Sequence, residues 1–206
     1  MKRSKTSKSW MKEHVNDFFV KQAKKEGYRS RAAYKLIEIA ARDNLLAPGM
    51  TIVDLGAAPG GWSQVASEKL GVNGRVIALD ILDMAALPNV TFIQGDFTEA
   101  SILAELEIHL EKYPLDLVIS DMSPNITGIG VIDQARGMYL AEAALEFSVE
   151  RLNYGGNFLV KVFQGSGFEE FLRRMRTTFN RVVTRKPEAS RGRSSEIYLL
   201  GLGKRN

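Results

Sequence analysis

The segment Thr51-Ile-Val-Asp-Leu-Gly-Ala-Ala-Pro-Gly-Gly-Trp62 constrains the fold of this chain more than any other stretch. A short apolar run ends in Asp54, a glycine-rich turn follows, and a helix is expected to begin near Gly61. Glycine permits tight backbone angles and close approach of a ligand, and a helix N-terminus presents free N–H groups to an anion. Asp80 closes the next apolar run, 20 residues after Gly60, where a carboxylate reaches ribose hydroxyls in nucleotide-binding α/β folds. A glycine turn alone says little. With a strand before it, a helix after it and an acid on the second strand, it implies an α/β domain that binds a nucleoside-containing ligand.

The rest of the chain repeats this alternation. Strands are expected at Thr51–Leu55, Arg75–Leu79, Val90–Ile93, Leu115–Ser120, Asn157–Phe163, Arg181–Thr184 and Glu196–Leu202, with helices near 61–70, 99–112, 133–153 and 167–178. Helical patterns also cover 10–25 and 30–44, and in the second Ala33, Leu36, Ile37 and Ala40 make one apolar face. Short β-branched runs without alternation predict strands buried on both faces, as in a parallel sheet flanked by helices. The segment between the last two strands, about 185–195, is too short for a helical crossover, so they should pair antiparallel. The expected architecture is one α/β domain with a seven-stranded, mostly parallel sheet, an antiparallel last strand and helices on both faces.

Charge is distributed unevenly. Residues 1–31 hold ten Lys or Arg against three acids, and residues 173–206 hold ten against Glu188 and Glu196. With a formal net charge of +4, those ends at +7 and +8 leave residues 32–172 at −11. Basic ends on an acidic body suit docking to a polyanion, and nucleic acid is the expected partner. Basic tails that only keep the chain soluble are the plainer alternative. Cysteine is absent, and His14 and His109 lie far apart, so no zinc-type metal site is expected. No apolar run is long enough for a membrane span and no signal peptide is legible, which points to a cytoplasmic protein. Nothing suggests an obligate dimer, so a monomer is the default.

Four acids, Asp54, Asp80, Asp96 and Asp121, follow consecutive strands at their carboxyl ends, where open α/β sheets bind ligands. Some could merely cap helices. NAD is a possible ligand, but the turn lacks the Gly-x-Gly-x-x-Gly spacing that holds a pyrophosphate. Asp96-Phe97 offers a carboxylate beside an aromatic ring, a combination suited to adenine. S-adenosylmethionine has no phosphate but carries a sulfonium and an ammonium, which an acid-lined site suits. Lys161 interrupts the apolar run Asn-Phe-Leu-Val-Lys-Val-Phe, where an ammonium costs free energy unless it is paired or neutral. It is either a strand-end lysine reaching solvent or a desolvated lysine able to act as a base.

Asp-Leu-Gly-Ala-Ala-Pro-Gly-Gly-Trp-Ser-Gln, Ser-Asp-Met-Ser-Pro-Asn, Val-Lys-Val-Phe-Gln-Gly and Arg-Ser-Ser-Glu-Ile-Tyr together resemble the FtsJ (RrmJ, RlmE) family of ribose 2′-O-methyltransferases, over about Tyr28 to Leu202. The resemblance implies a Rossmann-like class I S-adenosylmethionine-dependent methyltransferase, with residues 1–27 a basic N-terminal extension, partly disordered or helical, and 28–206 a single catalytic domain. It implies a catalytic set of Lys35, Asp121, Lys161 and Glu196, and cofactor contacts at Asp54, Gly56, Gly60, Trp62, Asp80, Asp96, Phe97 and Asp121, with no metal. It further implies methylation of a uridine ribose in 23S ribosomal RNA of the 50S subunit. Lys161, beside Asp121, would serve as the base or orient the attacking oxygen, while Lys35 and Glu196 position the ribose. Two alternatives stay open: a methyltransferase acting on transfer RNA, and a non-catalytic RNA-binding ribosome-assembly protein.

Overall fold

The computed structural model describes residues 17–191 and 194–206 of the 206-residue chain. Residues 1–16, which include most of the basic N-terminal extension and the start of the helical pattern at 10–25, lie outside the described residues, as do Gly192 and Arg193. The elements in order are α1 (Phe18–Glu26), α2 (Ala33–Asp43), β1 (Thr51–Leu55), α3 (Gly61–Leu70), β2 (Arg75–Asp80), β3 (Val90–Gln94), α4 (Ala100–Leu110), β4 (Leu115–Ser120), α5 (Gly130–Arg151), β5 (Leu152–Phe163), α6 (Phe168–Thr178), β6 (Phe179–Arg185) and β7 (Glu196–Lys204).

The seven strands form one sheet in the order β3-β2-β1-β4-β5-β7-β6. All neighbouring pairs from β3 to β5 are parallel; β7 inserts between β5 and β6 and runs antiparallel to both. The chain order reverses direction between β1 and β4, which opens a crevice at the carboxyl ends of the strands.

Strand alternation assigns side chains to two cores. Val53, Leu55, Ile77, Leu79, Val118, Phe158, Val160 and Val162 join one cluster with Leu106 of α4, Ala144 of α5 and Phe171 of α6. Ile52, Val76, Leu117, Ile119, Leu159 and Leu200 face the opposite side, against Leu36 and Ile39 of α2 and Trp62 and Val65 of α3. The inner strands are buried on both faces as their unbroken apolar runs predict. The edge strands β3 and β6 are not: Thr91, Asn180 and Arg181 are exposed, because only one flank of an edge strand has a neighbour.

The apolar stripe of α2 and the starts of α5 and β5 depart most from the pattern in the sequence. On α2 the buried apolar residues are Ala33, Leu36, Ile39 and Ala40, with Lys35 buried beside them, while Ile37 is only half-buried, so the apolar stripe is rotated slightly from the expected one. Helix α5 starts at Gly130 rather than near 133, its first turn held by Asp133, which accepts hydrogen bonds from Thr127 and Gly128 N–H. Strand β5 begins five residues early, at Leu152 rather than Asn157. Leu152 pairs with Leu115, the register then shifts, and Gly155 at φ +82° carries the chain through the irregularity that the Asn153–Gly156 composition disguises as a turn.

Candidate functional site

The glycine turn leaves β1 with Gly56 at φ +77° and enters α3 through Gly60 at φ +102°. A Cβ on Gly56 would stand 2.6 Å from Met122 Cγ and 2.9 Å from Met122 Cα, so the two strand-end loops approach too closely for any side chain there. The carboxylate of Asp80 pins the turn: Oδ2 accepts from Ala58 N–H at 2.9 Å and Oδ1 from Leu82 N–H at 2.8 Å. Between these loops lies a cleft of about 540 Å³ at the carboxyl ends of β1 to β4. Gly56, Asp80, Asp96, Phe97 and Asp121 line it, with Met122, Asn125 and Arg136 closing one side. Asp96 accepts from Thr98 N–H and the Thr98 hydroxyl through Oδ1 alone, at 2.9 and 2.7 Å, so it closes a local turn as well as facing the cleft. Phe97 packs edge-on against Phe147 of α5, which fixes its ring.

Asp121, Lys161, Lys35 and Glu196 meet beside this cleft. Lys161 and Lys35 are each only 8% exposed. Lys161 Nζ lies 3.0 Å from Asp121 Oδ1 and donates to the Asp121 carbonyl at 2.6 Å. Lys35 Nζ, from α2, lies 3.0 Å from Glu196 Oε1 at the start of β7. Strand periodicity explains the meeting: Asp121, Lys161 and Glu196 share parity with Ile119, Leu159 and Leu200, so all three project to the face covered by α2. Lys161 is thus neither a lysine reaching solvent nor an unpaired buried charge.

A fifth group, Tyr198, joins the two ion pairs. Its hydroxyl donates to Asp121 Oδ1 at 2.7 Å and accepts from Lys35 Nζ at 2.9 Å. The order is therefore Lys161–Asp121–Tyr198–Lys35–Glu196. In the sequence Tyr198 stands within Arg-Ser-Ser-Glu-Ile-Tyr with no expectation attached to it. The available signal was period two, since Tyr198 follows Glu196 by two residues on a strand; its partner across the sheet, Lys161, is a matter of register.

The electrostatics follow from burial and neighbours. Burial pushes the Asp121 carboxyl up, but the charges of Lys161 and Lys35, together with hydrogen bonds from Tyr198 and Lys161, outweigh it and hold the group below its ordinary value. Glu196 is likewise held low, by Lys35 against its own burial. Tyr198 is raised well above its ordinary value, first by burial and then by the charges of Asp121 and Glu196. Asp54 behaves in the opposite way. It is fully buried, and desolvation pushes it up to about 7 despite a 2.6 Å hydrogen bond from Ser63 Oγ.

A profile of the FtsJ-like methyltransferase family matches residues 28–204. The chain belongs to the FtsJ-like methyltransferases. Over all 206 residues of both chains it is 78% identical to "Ribosomal RNA large subunit methyltransferase E" of Nitrosospira multiformis. It is 59% identical to the protein of the same name from Neisseria meningitidis, over 98% of each chain. Among solved structures it resembles a Plasmodium falciparum protein described as a ribosomal RNA methyltransferase, with a TM-score of 0.76 and 30% identity over 86% of this chain and 98% of that one. An FtsJ-like methyltransferase needs a methyl donor, and the cleft suits S-adenosylmethionine: carboxylates for its cationic and hydroxyl groups and an aromatic ring for its base, with three aspartates against the single cation Arg136 on its walls.

Not every expected contact lies on the cleft wall. The Trp62 side chain is buried in the α2–α3 core, its Nε1 donating to Ala32 O at 2.8 Å and its ring packed on Tyr198, so any contact it makes to a ligand falls to its backbone. Gly60 and Asp54 shape the turn and floor without lining the cleft. Several basic residues counted toward a polyanion surface are engaged within the fold. Arg29 donates to the carbonyls of Ala85 and Ala86, Arg31 pairs with Asp17, Arg185 pairs with Asp43 and Lys186 donates to Ser194 and Glu196 carbonyls. Lys21, Lys24 and Lys25 of α1 are exposed. Among the described residues no group of three or more His, Asp or Glu is placed to hold a metal ion, and no helix is long and apolar enough to cross a membrane.

Proposed function

We propose that this chain transfers a methyl group from S-adenosylmethionine to the 2′-oxygen of a uridine ribose in 23S ribosomal RNA, within the 50S subunit. The observation that carries the reading is the Lys161–Asp121 pair beside an acid-lined cleft, supported by relatives whose printed names place them on large-subunit ribosomal RNA. The reading takes the protein as a cytoplasmic monomer, residues 28–206 as its catalytic domain and residues 1–27 as a basic extension toward the RNA.

The donor, when bound, supplies an electrophilic methyl group. Asp80 would hold its ribose hydroxyls, Asp96 and Phe97 its adenine, and Asp121 the charged end of its amino-acid portion. Lys161 Nζ, oriented by the Asp121 carboxylate and carbonyl, holds the incoming 2′-hydroxyl and takes its proton. Lys35 and Glu196 fix the second ion pair alongside, so the ribose meets groups already in place and alignment supplies much of the acceleration. The test is transfer of tritiated methyl to 50S subunits, free ribosomal RNA and transfer RNA, the ribosomal substrates taken from a strain lacking the enzyme, followed by nucleoside digestion. Label in 2′-O-methyluridine from 50S is the expected result. Label on transfer RNA alone would overturn the substrate, and none on any RNA, with donor binding intact, would favour an RNA-binding assembly factor.

A further inference from the structure

We propose that Tyr198 is a positioning residue of the methyl-transfer reaction, its hydroxyl setting how tightly Asp121 holds the proton of Lys161. The inference rests on the methyl-transfer reading above and adds to it a residue outside the Lys-Asp-Lys-Glu set.

A phenol has one proton to give and lone pairs to receive. Tyr198 gives its proton to Asp121 Oδ1 and receives one from Lys35 Nζ. Asp121 Oδ1 is also the oxygen that lies 3.0 Å from Lys161 Nζ. Tyr198 and Lys161 therefore compete for one carboxylate oxygen, and each donor lowers the electron density left for the other. Register makes the competition unavoidable, because Lys161 on β5 and Tyr198 on β7 are directly paired across the sheet.

The charged neighbours are few and their signs are clear. Asp121 faces the hydroxyl from the end of β4, Lys161 from β5, Lys35 from α2 and Glu196 from β7 itself, with Arg31 ahead of α2 adding positive potential. Asp121 in turn adds negative potential at Asp54, behind the glycine turn. From α3 comes Trp62, which is uncharged, its ring centroid 5.7 Å from that of Tyr198. That packing leaves the phenol fully buried with little freedom to move its oxygen. Because burial and the two carboxylates hold Tyr198 well above the ordinary tyrosine value, it stays a donor across the working pH range.

Removing the hydroxyl leaves Asp121 Oδ1 to Lys161 alone, so the carboxylate grips the lysine proton more tightly and the base is free less often. Tyr198→Phe retains the ring and its contact with Trp62. The experiment measures kcat, KM and their pH profiles for wild type and Tyr198→Phe in the tritiated-methyl assay, alongside thermal melting and donor affinity. The variant should lose roughly tenfold in kcat, hold KM for donor and RNA within about twofold, and move the rising limb of kcat upward by roughly half a pH unit. A tyrosine serving only as packing would lower the melting temperature and leave the limb in place; an unmoved limb overturns the proposal. Should Tyr198→Phe fold poorly, 3,5-difluorotyrosine at position 198 keeps the shape and is a stronger donor, and the limb should then move to lower pH. An unmoved limb there overturns the proposal equally. A wild-type protein that methylates no RNA would sink the methyl-transfer reading and this inference with it, whereas active wild type with unshifted variants sinks the inference alone.

Discussion

Asp54 combines zero exposure with an oxygen that has no partner, and the consequence is a stability that falls as pH rises. In the unfolded chain an aspartate ionises near pH 4, while in the fold Asp54 holds its proton to about 7. Between those values the folded state binds more protons than the unfolded one, so stability declines with a limiting slope on the order of 1.4 kcal/mol per pH unit. Asp54→Asn should abolish that component, and urea unfolding of both proteins from pH 4 to 8 would show the difference. Asp121 and Glu196 act with the opposite sign. Their values are depressed in the fold, so their contribution is present above the ordinary carboxylate range and is lost as pH falls through the folded values. At Lys161 the expected effect is catalytic. Lys161→Ala should lower kcat by roughly a thousandfold and leave donor affinity, read by calorimetry, close to that of wild type. A variant with near-normal turnover would remove Lys161 from the mechanism.

The glycine turn and the strand ends work together because loops from β1 and β4 touch. Gly56→Ala would place a methyl group against the Met122 backbone at a residue whose φ is +77°. Strain and collision should cost roughly 1–3 kcal/mol and push the two loops apart across the cleft. Donor affinity should therefore fall by more than thermal stability alone explains, which calorimetry and melting curves measured together would separate. A second link between elements is the Arg185–Asp43 pair, with Nε and Nη2 at 2.7 and 2.5 Å from the two carboxylate oxygens and both side chains largely buried. It ties the edge strand β6 to the end of α2, the helix that carries Lys35. Asp43→Ala strands a buried guanidinium and should destabilise the fold by roughly 3 kcal/mol, measurable as a lower urea midpoint.

Across the whole molecule the charge divides between an acidic body, which holds the cleft, and basic ends. RNA binding should weaken steeply with salt, as counterions released from phosphates are reabsorbed. The internal pairings of Arg29, Arg31 and Arg185 reduce the number of basic residues available for this below the count in the sequence. Exposed Lys21, Lys24 and Lys25 on α1 are the better candidates. Alanine at any one of them should weaken RNA binding across sequences and shallow the salt slope by about one unit, without changing donor affinity. A salt-independent interaction would remove the electrostatic account.

The element order, the parallel sheet with its antiparallel return, the glycine turn and the residue types at each strand end are all legible in the amino-acid sequence. These are local properties: apolar runs, breaks at glycine and proline, and acids at fixed offsets from them, each set by chemistry between near neighbours in the chain. The start of β5 is less legible, because Gly155 and Gly156 break the apolar run and only pairing with Leu115 shows a strand. Tertiary structure alone decided which of the acids and bases meet. The Lys161–Tyr198 register, the Lys35–Glu196 approach and the internal use of Arg29, Arg31 and Arg185 all join residues far apart in the chain. Such meetings depend on how sheet order and helix rotation place side chains in space, and a linear pattern carries the periodicity of each element but not the register between them.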